Sequence, residues 1–354
     1  MRIVSVVGAR PQFVKLAPIA HAFQGRVEHL IVHTGQHYDE LLSGTFFKEL
    51  GIPQPTVNLG VGSGSHAQQT AAMMVALERF LLDASPDWVL VYGDTNSTVS
   101  AAMVAAKLNL RLAHLEAGLR SRNRAMPEEI NRIVADHLSQ LNFAPSQIAV
   151  SNLEMEGLSD TSKLVGDVMV DVLNLAKEKV EKSPPSRAWK TNEGDYLFAT
   201  LHRQELTESP EQLTAVLSTL GQMSLPVYLA AHPRLLKVMG DLGLSEMATG
   251  SLRIISPLGY LDLVDAILGS RGVITDSGGL QKEAYLLKVP CLTVRPETEW
   301  TETLADGWNT LVWHDLGAIK NFPIVKLPVS HNPMQFGDGT ASHRILEMLI
   351  SEGL

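Results

Sequence analysis

Acidic, basic and small residues gather where short apolar runs stop, and the carboxyl ends of parallel strands are where an α/β sheet offers its functional groups. Behind the run Trp88 to Tyr92 stands Gly93-Asp94-Thr95-Asn96-Ser97-Thr98. Asp94 there is either a catalytic carboxylate or the N-cap of the next helix. Behind Arg111 to Leu115 stands Glu116-Ala117-Gly118-Leu119-Arg120. A carboxylate that closes a buried strand must be paired or must work. Met126-Pro127-Glu128-Glu129-Ile130-Asn131-Arg132 suits a helix N-terminus, whose dipole accounts for one glutamate. It does not account for Arg132, which falls on the helix face of Glu128 or Glu129. Three carboxylates at neighbouring strand ends form a like-charge group, the arrangement that separates pKa values for acid and base work.

Other strand ends carry donors for anions. Gly8-Ala9-Arg10-Pro11-Gln12-Phe13-Val14-Lys15 opens a helix and puts Arg10 and Lys15 near its positive end. It lacks the spacing of a dinucleotide fingerprint or a Walker loop, and a surface Arg and Lys at a helix start would read the same way. His202-Arg203 and His232-Pro233-Arg234 follow consecutive strands, and two basic clusters so placed favour phosphate contact over lone structural histidines. The strongest local signal is Thr275-Asp276-Ser277-Gly278-Gly279-Leu280-Gln281-Lys282-Glu283. Two glycines bare their backbone N–H groups at a helix start and Ser277 adds a hydroxyl, so a diphosphate can be held there. Glu283, further along, can accept from ribose hydroxyls. The plainer reading is a Gly-rich turn with Ser277 as N-cap.

These clusters need strands and helices to position them. Runs at 3–7, 28–33, 88–92, 111–115 and 141–144 read as buried parallel strands, with helices between at 12–23, 65–82, 97–108 and 128–139. The series restarts with strands at 196–200, 226–230, 252–256, 272–276 and 290–294. The expected fold is α/β, two Rossmann-like doubly wound domains facing a cleft. The domains are expected at 1–168, with the carboxylates, and 169–340, with the diphosphate seat. A C-terminal helix at 341–354 is expected to pack back on the first domain. From Trp313 to that helix the chain reads as Pro-rich loop.

The 354 residues suit two α/β cores. The net charge of −9 gives no field that would draw nucleic acid or an anionic membrane, so an anionic substrate needs a local donor cluster. Cys291 is the single cysteine, which excludes an internal disulfide and a cysteine-based zinc site. No metal site is expected. The apolar start Ile3 to Val7 is too short for a signal-peptide core, and no stretch reaches membrane-spanning length. The expected location is cytoplasmic.

Taken in order, Gly93-Asp94-Thr95, Glu116-Ala117-Gly118-Leu119-Arg120, Pro127-Glu128-Glu129-x-Asn131-Arg132, His202-Arg203 and Asp276-Ser277-Gly278-Gly279 resemble the non-hydrolysing UDP-N-acetylglucosamine 2-epimerase family. The match runs from Gly8 to Ser342. The resemblance implies a glycosyltransferase-B fold and C2 epimerisation of a UDP-N-acetylhexosamine, by anti elimination of UDP and re-addition through a 2-acetamidoglycal. It implies no cofactor, a homodimer, and a role in making cell-surface polysaccharide precursors. Asp94, Glu116, Glu128 and His202 match the family's catalytic positions. Arg10, Lys15, Arg132, His232, Tyr260, Ser277, Gly278, Gly279, Glu283, Arg295 and Glu299 match substrate-binding ones, with Tyr260 flanking the uracil. Gln36 and His37 match positions of an allosteric substrate site.

The departures bear on the substrate. Arg10-Pro11-Gln12-Phe13 stands where many plain members have Arg-Pro-Glu-Ala, and Thr298-Glu299-Trp300-Thr301-Glu302 where they have Thr-Glu-Arg-Pro-Glu. His202-Arg203-Gln204-Glu205 lacks the second Arg of His-Arg-Arg-Glu, which belongs to the allosteric site. These features look closer to the branch acting on UDP-2,3-diacetamido-2,3-dideoxy-glucuronate. Competing functions are a hydrolysing epimerase, a glycosyltransferase on the same fold, and a catalytically inactive UDP-sugar-binding protein.

Overall fold

The computed structural model describes residues 1–35, 47–182, 195–244, 249–305, 307–322, 328 and 330–353. The chain divides into two units, Met1–Leu175 with Met334–Leu354, and Ala176–Pro333.

The first unit holds a parallel sheet of β1 (Arg2–Val7), β2 (Glu28–His33), β3 (Val57–Asn58), β4 (Trp88–Tyr92), β5 (Leu112–Leu115), β6 (Leu141–Ala144) and β7 (Ser162–Leu164). Their order is β3-β2-β1-β4-β5-β6-β7, so the winding reverses between β1 and β4. The edge strands β3 and β7 span two and three residues, too short to show a period in sequence. Helices α1 (Arg10–Phe23), α2 (His66–Ala84), α3 (Asn96–Lys107), α4 (Pro127–Leu138) and α5 (Gln147–Met155) alternate with the strands, and α6 (Val168–Lys182) begins in this unit and ends in the second. Val4, Val6, Val89 and Val91 face Met73, Leu77 and Leu81 of α2 and the small Ala101, Ala102 and Ala105 of α3. Truncating a fully buried leucine such as Leu77 to alanine should cost about 2–5 kcal/mol.

Register does the positioning. Tyr92 lies opposite Leu115, so the residues that follow, Gly93 and Glu116, emerge side by side. Val6 lies opposite Val91, which brings the Gly8–Arg10 turn to the same end of the sheet.

The C-terminal helix (Ala341–Gly353) packs against α1, and Trp88 Nε1 donates to Leu349 O at 3.2 Å. Asp171 on α6 caps it, accepting from Ser342 N at 2.9 Å and Ser342 Oγ at 2.7 Å. Burial pushes the Asp171 carboxyl above its ordinary value in spite of these bonds.

The second unit holds β8 (Leu197–Thr200), β9 (Val227–Ala230), β10 (Leu252–Ile255), β11 (Gly272–Thr275), β12 (Cys291–Thr293) and β13 (Asn309–Leu311), ordered β10-β9-β8-β11-β12-β13 and all parallel. Helices α7 (Gln204–Thr207), α8 (Pro210–Gly221), α9 (Pro233–Asp241), α10 (Tyr260–Leu268), α11 (Gly278–Leu286), α12 (Glu302–Ala305) and α13 (Gly317–Asn321) connect them. Thr200 pairs with Thr275 at the reversal between β8 and β11. The stretch after Trp313 is not all loop: α13 buries Ile319 in the core, and Pro333–Phe336 forms a 3-10 turn. Elements of four or five residues carry no readable periodicity. Among the described residues, no helix is long and apolar enough to cross a membrane.

Candidate active site

In the first unit two carboxylates are seated by two cations on either side of one turn. Gly93 takes φ +59°, the left-handed region that favours glycine, and sends the chain from β4 into Asp94. A side chain there would also collide: a Cβ on Gly93 would lie 3.1 Å from Glu116 Oε2 and 3.2 Å from Lys15 Nζ. Lys15, one turn into α1, forms an ion pair with Glu116 in a nearly buried setting. Glu116 itself has φ +67°, an uncommon value for a side-chain-bearing residue and a store of backbone strain.

Asp94 is not the helix cap, because Thr95 holds the N-cap position of α3. Its carboxylate instead receives Arg132 Nε at 3.0 Å and Nη2 at 2.9 Å. Arg132 is 1% exposed, and its Nη1 donates to Glu129 Oε2 at 2.7 Å. Glu129 also accepts from Ser121 N, Ser121 Oγ and Arg122 N. Glu129 rather than Glu128 is thus the partner of Arg132; Glu128 lies half-buried one residue earlier on α4. Arg10 is half-buried at the first position of α1.

Gln12 ties two of these segments together. Its Oε1 accepts from Gly8 N at 2.8 Å and Ala9 N at 3.1 Å, while its Nε2 donates to Tyr92 O at 2.8 Å and Thr98 Oγ1 at 3.1 Å. A glutamate at position 12 could accept the first pair but could not donate to Tyr92 O, so this chain's Gln fits its own turn. Asn131 Nδ2 donates to Asp94 O at 2.9 Å.

The second unit brings the His202 loop and the Ser277 turn together at the ends of β8 and β11. Asp276 is fully buried and accepts from His202 N and Arg203 N, both at 2.8 Å, which fixes the His202 loop. The His202 ring remains about half exposed, with Nδ1 at 3.4 Å from Asp276 Oδ1. Ser277 caps α11, and its hydroxyl accepts from Leu280 N. Gly278 has no room for a side chain, since a Cβ would stand 2.3 Å from Glu299 Oε1. Arg295 Nη1 donates to the other oxygen of Glu299 at 2.8 Å, and its Nε and Nη2 are buried without a hydrogen-bond partner among the described residues. Glu283 is buried on α11, and Tyr260 is buried at the first position of α10. His232 is exposed and caps α9, its Nδ1 accepting from Arg234 N at 3.2 Å.

The structure therefore gathers Lys15, Asp94, Glu116 and Arg132 in one unit, and His202, Ser277, Gly278, Arg295 and Glu299 in the other. Gln36 and His37 lie outside the described residues. Sequence reasoning missed Gln12 and Asp276 as organisers and left Glu128 and Glu129 open as the partner of Arg132. An acidic residue closing the apolar run Gly272 to Thr275 was the signal that could have found Asp276. Among the described residues, no group of three His, Cys, Asp or Glu side chains is placed to hold a metal ion.

Comparison with known proteins bears on this geometry. Residues 21–350 match the family model described as UDP-N-acetylglucosamine 2-epimerase. The chain is similar to a UDP-N-acetylglucosamine 2-epimerase homolog of Methanococcus maripaludis, 44% identical over 99% of both chains. It is also similar to the UDP-2,3-diacetamido-2,3-dideoxy-D-glucuronate 2-epimerase of Pseudomonas aeruginosa, 40% identical over 99% of both. Among solved structures it resembles the Methanocaldococcus jannaschii UDP-GlcNAc 2-epimerase in complex with UDP-GlcNAc and UDP. That match has a TM-score of 0.92 at 37% identity and covers 99% of this chain and 100% of the other.

Proposed function

The chain belongs to the UDP-N-acetylglucosamine 2-epimerase family, and from that membership we propose that it interconverts UDP-N-acetylglucosamine and UDP-N-acetylmannosamine. The observation that carries the reading is the pair of seated carboxylates, Asp94 on Arg132 and Glu116 on Lys15, flanking Gly93.

Inversion at C2 needs a proton taken from one face and returned to the other, so two carboxylates in different seats suit it. One removes the C2 proton as the C1–O bond breaks and UDP leaves, giving a 2-acetamidoglycal. A proton is then delivered to the opposite face of C2 while UDP adds back to C1. C2–H is weakly acidic, so departure of the diphosphate has to be strongly assisted. Ser277, the N–H groups of Gly278 and Gly279, His202 and Arg10 are proposed to hold its charge, with Glu283 on the ribose and Tyr260 beside the uracil. Glu128 and Lys15 complete the sugar end of the assignment. Roles for Arg295, Glu299 and His232 in substrate binding belong to the same proposal, as do a homodimer, a cytoplasmic location and the supply of polysaccharide precursors.

A second reading has its own support. The 40% identity to the diacetamido-glucuronate enzyme exceeds the 37% to the Methanocaldococcus jannaschii UDP-N-acetylglucosamine enzyme, and Gln12 and Trp300 depart from the plain pattern in the same direction. Parallel incubations with both UDP-sugars decide between them. Epimerisation of UDP-N-acetylglucosamine supports the main reading, and turnover of the uronate alone moves the assignment to the second. Release of free sugar and UDP would indicate hydrolysis, and binding without conversion an inactive UDP-sugar binder.

A further inference from the structure

Three consecutive carbonyls of the turn that carries Asp94 are each held by a side chain from a different element. Gln12 of α1 donates to Tyr92 O, and Asn131 of α4 donates to Asp94 O. Between them, Gly93 O lies 2.7 Å from Nε2 of His114, a fully buried residue of β5. The other ring nitrogen, Nδ1, lies 2.6 Å from Asp136 Oδ1 on α4. A carbonyl and a carboxylate are both acceptors. The ring satisfies both only when both nitrogens carry protons.

Charge balance points the same way. Asp136 Oδ2 also pairs with Arg120 Nη1 at 2.7 Å and accepts from Gly118 N at 3.2 Å. Arg120 then grips Glu156 through Nε and Nη2, both at 2.7 Å. With a charged His114, the pairs His114–Asp136 and Arg120–Glu156 balance, and His137 stands 3.9 Å from Glu156 at the exposed edge. With a neutral one, a negative charge would be left uncompensated beside fully buried groups, which is costly. Burial alone would raise the Asp136 carboxyl, but the attraction of His114 and Arg120 outweighs it and holds that group below the ordinary range.

We infer that His114 is a buried imidazolium acting as a positioning residue, linking Asp136 to the Gly93 carbonyl and so fixing the turn that presents Asp94. Asp136 also holds Gly118 N and Arg120, in the segment just after Glu116, so one carboxylate sets the backbone of both seats. This rests on the reading of Asp94 as a catalytic carboxylate.

Nitrogen-15 NMR of the wild-type enzyme with labelled histidine rings tests the charge at neutral pH. Both His114 nitrogens should show directly bonded protons and imidazolium shifts, the resonances being assigned by their loss in His114→Gln. A ring with one bare nitrogen overturns the inference. Gln at 114 can donate to Gly93 O but cannot also donate to Asp136. His114→Gln should therefore lower kcat by about ten- to a hundredfold with KM and UDP affinity within about threefold, the scale expected of a slightly misplaced catalytic group. An unchanged kcat, or a loss carried by KM alone, contradicts it. Should His114→Gln not fold by circular dichroism, Asp136→Asn is judged on the same kcat and KM split. A wild type that binds UDP but turns nothing over sinks the functional reading and the positioning role together, while the ring's charge is still read from the spectrum.

Discussion

Arg132 holds Asp94 with two nitrogens of one guanidinium, Nε at 3.0 Å and Nη2 at 2.9 Å, and spends the third on Glu129 at 2.7 Å. Both nitrogens meet the single oxygen Oδ2, so the guanidinium edge fixes where that oxygen sits, which a lysine's single ammonium does less rigidly. Because Arg132 and Glu129 are buried, removing the cation leaves a carboxylate unpaired in a dry setting. Arg132→Met should destabilise the fold by about 3–5 kcal/mol in urea unfolding, a buried-pair loss. Arg132→Lys should recover part of the stability but little of the turnover. A methionine variant within 1 kcal/mol of wild type would show that the pair is not structural.

The proposed roles separate the carboxylates from nucleotide binding. Asp94→Asn and Glu116→Gln should each lower the epimerisation rate at least about a hundredfold, the low end for losing a proton-transfer group, while calorimetric UDP affinity stays near wild type. Near-normal turnover in either variant would show that the site assignment is wrong.

Gly93 and Gly278 test the two units independently. Gly93→Ala imposes a left-handed φ on a side-chain residue and pushes into the Lys15–Glu116 pair, so turnover should collapse with UDP binding retained. Gly278→Ala places its methyl against Glu299 at the proposed diphosphate seat, so UDP affinity should fall at least about tenfold, or 1.4 kcal/mol. Equal effects on UDP affinity from the two variants would contradict this division of labour.

Strand-end clustering was legible because apolar runs of five residues and the glycine and polar residues after them are local signals. Asp94, Glu116 and the Ser277-Gly278-Gly279 turn stand just after strands, where those signals place them. What stayed hidden depends on strand order. His114 meets Gly93 and Asp136 only because β5 lies beside β4 and α4 crosses over it, contacts about twenty residues distant in sequence. The choice between Glu128 and Glu129 turned on a one-residue rotation around α4, which the end of a Pro-initiated helix leaves open. Short elements such as β3, β13 and α13 follow from tertiary packing alone.

Acid stability should report a histidine remote from the chemistry. His29 contacts Ser5 Oγ at 2.7 Å and packs against Phe23, and burial pulls its pKa down to about 4. Its folded value lies below the unfolded 6.5, so the unfolded chain takes up the proton first. Stability is therefore complete above pH 6.5 and is lost as the pH falls toward 4, by about 3 kcal/mol from this group. His29→Gln, which cannot titrate, should flatten the urea-unfolding free energy between pH 6.5 and 5. An unchanged slope would show that His29 does not contribute to acid sensitivity.

C2 epimerisation of this kind requires proton exchange at C2 with the nucleotide retained. Proton NMR of UDP-N-acetylglucosamine incubated with the enzyme in deuterated water reads it directly. Two UDP-linked epimers are expected, each gaining deuterium at C2. Epimers that keep their C2 protium, or a substrate that neither exchanges nor epimerises, would contradict it.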